Sequence, residues 1–235
     1  MGSFFNVCIY RIPRGESIIY PPSHCPKCGT FLKLYDNIPV VSYILLRGRC
    51  RYCGTRISPI YPLVETLTGI LYVFSYIYYG KDLISFFSAL TFVSFLVIIT
   101  FIDLSHMIIP DVLVFPGIAL GLSFSFLKGK PLFFDGLLGG LIGGFTIFII
   151  IFLSRGGMGE GDIKLSAMIG SFLGVKYIIM TLILSFIIGG IIGVILLILK
   201  IKGRKDPIPF GPFLALGGII SLFWGDILAN MWGWY

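Results

Sequence analysis

Residues 83–111 read LISFFSALTFVSFLVIITFIDLSHMIIPD. From Leu83 to Ile102 the chain passes twenty residues without a charge, enough as a helix to cross a hydrocarbon layer of about 30 Å. The run then ends on Asp103. Comparable apolar runs extend from about Val64 to Tyr79, Val112 to Leu127, Leu137 to Leu153, Ile163 to Val175, Tyr177 to Leu199 and Phe210 to Leu228. With the apolar start MGSFFNVCIY they predict an all-α polytopic membrane protein of about eight membrane segments.

The composition agrees. Of 235 residues 57% are hydrophobic and 12% charged, with a mean hydropathy of +0.97, against about 25% charged in a soluble domain. Residues 1–10 lack the basic start and small-residue cleavage site of a signal peptide. They are shorter than the roughly 20 residues of a spanning helix, and read as the tail of a first membrane helix. The run from Ile163 to Val175 is also too short to cross alone. It is expected to lie buried among other helices, tilted or re-entrant. Clustered glycines (Gly139, Gly140, Gly143 and Gly144; Gly189, Gly190 and Gly193) have spacings that allow close helix packing.

The net charge of +7 does not point to nucleic acid. Eight of the 18 basic residues lie between Arg11 and Arg56, and Lys200, Lys202, Arg204 and Lys205 form one loop. If residues 11–62 are cytosolic, the loops at 103–111, 155–162 and 200–206 share their side. Fourteen of 18 basic residues then lie inside, as the positive-inside rule asks. Asp103 and Asp162 fall on that face.

Residues 11–62 are polar and proline-rich and hold four of the five cysteines. Cys25-Pro-Lys-Cys28-Gly and Cys50-Arg-Tyr-Cys53-Gly have the spacing of two knuckles closing a tetrahedral zinc site, the glycines permitting the tight turns. Disulfide or redox pairs are the alternative, suited to an oxidising compartment and disfavoured by the cytosolic placement. His24 is expected to face solvent or support the cysteines, and Cys8 to act as a small apolar residue.

Carboxylates at the ends of apolar segments are costly unless solvated, paired or used. Asp103 ends one such run, and Asp162 closes GMGEGD just before IKLSAMIG. Two carboxyl groups brought together cannot both ionise easily. The charged one can take a proton from an attacking water while the protonated one polarises a peptide carbonyl. The glycines before Asp162 would let an extended substrate approach. A helix-capping Asp162 is the rival reading. Asp111, after Pro110, is expected to cap the next helix, and His106 to be a bystander.

Taken in order, GSFFNVCIYRIPRGESI, the two knuckles, YPLVETLTG, FIDLSHMIIPD and GMGEGDIKLSAMIG resemble the type IV prepilin peptidase family, the bacterial prepilin leader peptidases and N-methyltransferases. The resemblance covers nearly the whole chain. It implies that Asp103 and Asp162 form the catalytic pair of a GxGD-type intramembrane aspartic protease. It also implies that Cys25, Cys28, Cys50 and Cys53 bind structural zinc in a cytosolic module, and that residues 63–235 form the protease domain. The implied substrates are prepilin or pseudopilin precursors in the bacterial inner membrane, among membrane lipids. The new N-terminus would then be methylated from S-adenosylmethionine, a cofactor for which no motif is legible. Glu65 matches the family's P-x-V-E segment, with a place in methyl transfer or merely at a helix end; Ser105 stands where many members carry an acid. Two functions of other classes remain: a membrane thiol-disulfide oxidoreductase, and a non-enzymatic zinc-containing scaffold for pilus or secretion assembly.

Overall fold

The computed structural model describes residues 2–154, 158–203 and 206–233. Arg155, Arg204 and Lys205, three of the basic residues assigned to the inner face, lie outside them. The helices are α1 (Gly2–Arg11), α2 (Val41–Leu45), α3 (Ile60–Tyr79), α4 (Leu83–His106), α5 (Asp111–Lys128), α6 (Lys130–Ser154), α7 (Glu160–Ile198) and α8 (Gly211–Met231). Among the described residues no strand forms, and six helices, α3 to α8, are long and apolar enough to cross a membrane. The chain divides into two compact units, Met1–Phe74 and Ser75–Tyr235.

In the first unit Glu65 ties the start of the chain to the loops. Its Oε1 accepts from Ser3 Oγ at 2.5 Å and its Oε2 from the Val40 N–H at 2.8 Å. Val40 has φ 61°, costly for a β-branched residue, and this bond holds its amide. A Cβ on Gly2 would stand 2.8 Å from Glu65 Cα, so only glycine lets α1 approach there. Asn6 and Arg11 are buried nearby in the chain; Asn6 donates to the Tyr61 carbonyl and Arg11 to that of Ser17.

The second unit is a helix bundle. Phe92, Leu96 and Ile99 of α4 are almost wholly buried. Their spacing of four and three residues marks one helical face, and four residues further along that face stands Asp103. Leu165, Met168 and Ile169 of α7 and Leu214 of α8 are also fully buried, and Phe92, Leu96 and Ile169 meet around Gly218 of α8.

The two apolar runs expected at 163–175 and 177–199 share α7, which leaves helical geometry at Gly174 (φ 80°, ψ −179°). The chain reverses direction there. Gly139 of α6 abuts both Gly170 and Gly174, and Gly143, one turn on, abuts both Ser166 and Ile178. Residues on either side of the break thus meet α6 at matching heights. Beyond it, Tyr177 meets Gly225, Ser185 meets Gly217 and Phe213 meets Gly189, so the second half runs antiparallel to α8. The first half, Glu160 to Leu173, is only about 21 Å long at 1.5 Å per residue.

Backbone-to-backbone contact along Gly139, Gly143 and Gly170 leaves no room for a Cβ, as expected of a small-residue helix interface. The second glycine cluster departs from that expectation. Gly189 meets Phe213, but Gly190 and Gly193 have no neighbour within 4 Å among the described residues.

Candidate active site and metal centre

The four thiols of the first unit converge. Cys25, Cys28, Cys50 and Cys53 place their sulfurs within 4.8 Å of one another, with 3.8 Å between those of Cys25 and Cys53. Thiolates about 2.3 Å from one zinc ion stand roughly 3.8 Å apart in a tetrahedron, so these donors fit a metal ion.

Each knuckle is built alike. The Cys25 N–H donates to Thr30 O and the Gly29 N–H to Cys25 O; Cys50, Thr55 and Gly54 repeat the pair. Gly29 and Gly54 turn at φ 68° and 69°, conformations that glycine adopts freely. Cys25 and Cys50 are buried, Cys28 and Cys53 exposed.

Thr30 and Thr55 also support the sulfurs, a role visible in the repeated Cys-Gly-Thr once the fold is known. Their Oγ1 atoms lie 3.4 Å from Cys28 Sγ and 3.3 Å from Cys53 Sγ. Burial pushes the Cys25 thiol up to about 11, whereas hydrogen bonding with the Thr55 side chain draws Cys53 down to about 6. His24 is exposed, its Nδ1 3.0 Å from Pro22 O, and takes no part in the cluster. Cys8 is buried in α1.

In the second unit Asp103 and Asp162 are each 5% exposed. Asp103 lies in the last turn of α4, and its Oδ2 accepts the Gly211 N–H at 3.0 Å. Gly211 opens α8, so the carboxylate meets the positive end of that helix. Asp162 lies in the first turn of α7, where its Oδ2 accepts the Gly159 N–H at 3.2 Å. That bond is the capping interaction of the rival reading. It engages only one oxygen: among the described residues neither carboxylate's Oδ1 has a hydrogen-bond donor.

Ile109 joins the two positions. A Cβ on Gly161 would fall 2.8 Å from Ile109 Cβ, and one on Gly211 would fall 3.3 Å from Ile109 Cδ1. The starts of α7 and α8 therefore close on one side chain.

Asp111 does not cap α5 as expected, because the cap position is Pro110. Its Oδ1 instead accepts from Lys164 Nζ of α7 at 2.6 Å, an exposed ion pair of small energetic weight. His106 and Ser105 are exposed, with Ser105 Oγ bonded to the Phe101 carbonyl. Sequence reasoning missed Gly211 and Ile109: one acts through its backbone, the other through its shape.

The Bacterial Peptidase A24 N-terminal domain profile matches residues 1–79, and that of the Type IV leader peptidase family residues 90–194. The chain is 37% identical to a prepilin leader peptidase/N-methyltransferase of Xanthomonas campestris, over 98% of this chain and 90% of that one. It is 35% identical to one of Bacillus subtilis, over 99% and 93%, and 34% identical to one of Pseudomonas aeruginosa, over 96% and 87%. No solved structure matches.

Proposed function

Because the chain belongs to the type IV leader peptidase family, we propose that Asp103 and Asp162 carry the hydrolytic step of its activity. It is a multi-pass membrane enzyme that cleaves the leader peptide of prepilins or pseudopilins and N-methylates the new N-terminus. One carboxylate takes a proton from water as that water attacks the scissile carbonyl. The other, protonated, hydrogen-bonds the carbonyl oxygen and later supplies the proton the leaving amine needs. Neither metal nor nucleophilic side chain enters the step.

The observation that supports this most is the state of the two carboxyl groups. Both are buried, each has one oxygen held by a backbone N–H, and each keeps its other oxygen without a donor among the described residues. A purely capping aspartate has no need of a second buried carboxylate whose partner, Gly211, closes on the same Ile109 side chain as Gly161.

The four-cysteine cluster takes zinc in a structural role, with residues 11–62 as its module and 63–235 as the protease domain. Four thiolates leave no open position on the ion for water. The module and the carboxylate pair face the cytosol, as the positive-inside count asks. Counted with α1 and the short first half of α7, the remaining spans make the eight apolar segments of the chain. Methyl transfer draws on S-adenosylmethionine, and membrane lipid surrounds the bundle.

The test is co-expression with a pilin-like precursor and mass spectrometry of the product's N-terminus. A leader removed at one bond and a product heavier by one methyl group are expected. A precursor left intact by the unaltered chain would overturn the reading.

A further inference from the structure

The first half of α7 turns back at Gly174, about 21 Å from its start, while α4, beside it, runs about 30 Å from Asp103 to Leu83. The bundle thus loses one helix over its last third, at the end away from Asp103 and Asp162. A cavity of about 250 Å³ occupies that place, lined by α3, α4, α5, α6, α7 and α8. It is far larger than the roughly 10–15 Å³ that admits a single water, and lies just below the usual range of small-ligand pockets.

Its lining is polar for a membrane bundle. Ser88, Ser125, Lys128, Asp135, Ser221 and Asp226 all contribute. Several are committed: Ser125 Oγ donates to Ser171 O, Asp135 Oδ1 accepts the Val175 N–H, and Tyr177 OH donates to Asp226 Oδ1. Ser221 is not. It is 2% exposed, and its hydroxyl has no partner among the described residues. A buried hydroxyl without a partner costs free energy, so this one is expected to meet a ligand.

The charges narrow the ligand. Among the described lining residues Lys128 is the one cation, and Asp135 and Asp226 are the carboxylates. A bare metal cation would be repelled by Lys128, and a simple anion by the two aspartates. A group carrying both an ammonium and a phosphate satisfies the set. An apolar groove of about 350 Å³, lined by Leu122, Phe126 and Leu127 of α5 and Phe133 of α6, opens at the same ends of those helices. It suits an acyl chain. Lys128 and Lys130 bracket the α5–α6 connection, as expected where helix ends meet lipid headgroups.

We propose that this cavity binds the headgroup of an aminophospholipid, a lipid bearing a primary ammonium and a phosphate, from the leaflet opposite the carboxylate pair. The ammonium reaches the free oxygen of Asp226 and the Ser221 hydroxyl, and the phosphate reaches Lys128.

The test uses the full chain in nanodiscs of equal parts phosphatidylethanolamine and phosphatidylglycerol, released into detergent for native mass spectrometry. One phosphatidylethanolamine should stay bound in preference to phosphatidylglycerol. Retention should fall about tenfold in Asp226→Asn, which loses a charged partner, and vanish in Ser221→Leu, which fills the cavity. Equal retention of the two lipids, or wild-type retention in both variants, would overturn the proposal. So would displacement of the lipid by soluble phosphoethanolamine, which would make a free metabolite the ligand. If Ser221→Leu does not fold, Ser221→Cys serves: its alkylation should be slower in phosphatidylethanolamine nanodiscs than in phosphatidylglycerol ones, and equal rates would overturn the proposal.

Discussion

The backbone N–H of Gly211 donates to Asp103 Oδ2 across 3.0 Å, joining the end of α4 to the start of α8 at a carboxylate that is 5% exposed. A Cβ at Gly211 would lie 2.6 Å from that oxygen, so the position tolerates no side chain unless Asp103 moves. Gly211→Ala is therefore expected to lower kcat about 100-fold, the usual cost of misplacing a reacting group by about 1 Å. Protein abundance in the membrane should stay near wild type. Cleavage at the wild-type rate would show that the N–H does not position Asp103.

Gly174 carries the reversal of α7. Its φ of 80° with ψ of −179° belongs to a region almost reserved for glycine, at a cost of about 1–3 kcal/mol for other residues. A Cβ there would also overlap the Asp135 carboxylate. Gly174→Ala should destabilise the bundle by at least about 2 kcal/mol, read as a lower midpoint of thermal unfolding in detergent. Asp135→Asn keeps an acceptor for the Val175 N–H, which bonds Oδ1 at 3.2 Å, and should cost less than Asp135→Ala. The reverse order would refute the capping role.

The two knuckles should fail together when metal is withdrawn, because four ligands close one site and such sites contribute folding energy. Chelation, or Cys28→Ser, is expected to unfold the first unit and expose it to protease. Hydrogen bonding with the Thr55 side chain draws the Cys53 thiol down to about 6, which favours the metal-binding thiolate near neutral pH. Thr55→Val should remove that support and slow metal uptake at pH 7, measured by stopped-flow release from a chromophoric chelator. An unchanged uptake rate would exclude the threonine from the site's chemistry.

Much of this arrangement can be read from the residues. Asp103 falls on the face set by Phe92, Leu96 and Ile99, so its inward direction follows from helical spacing. The repeated Cys-x-x-Cys-Gly likewise announces the four-cysteine cluster, since knuckle geometry is local. What spacing does not reveal is where distant segments meet. The short run ending near Val175 is recognisable as unable to span, but the reversal on a single glycine under Asp135 depends on a contact forty residues away. Asp111 looked like a helix cap; its partner Lys164 lies 53 residues on, across the bundle. Gly211 acts through its backbone amide, which no side-chain pattern records.

The central claim, that Asp103 and Asp162 carry the cleavage, is tested most directly by one comparison. Purified Asp103→Asn and Asp162→Asn are each given an intact prepilin and, separately, an already cleaved pilin N-terminus with S-adenosylmethionine, and the products are weighed by mass spectrometry. Each variant should leave the leader uncut, with cleavage lowered at least about 1000-fold, yet methylate the cleaved substrate. Substantial cleavage by either variant would contradict the account.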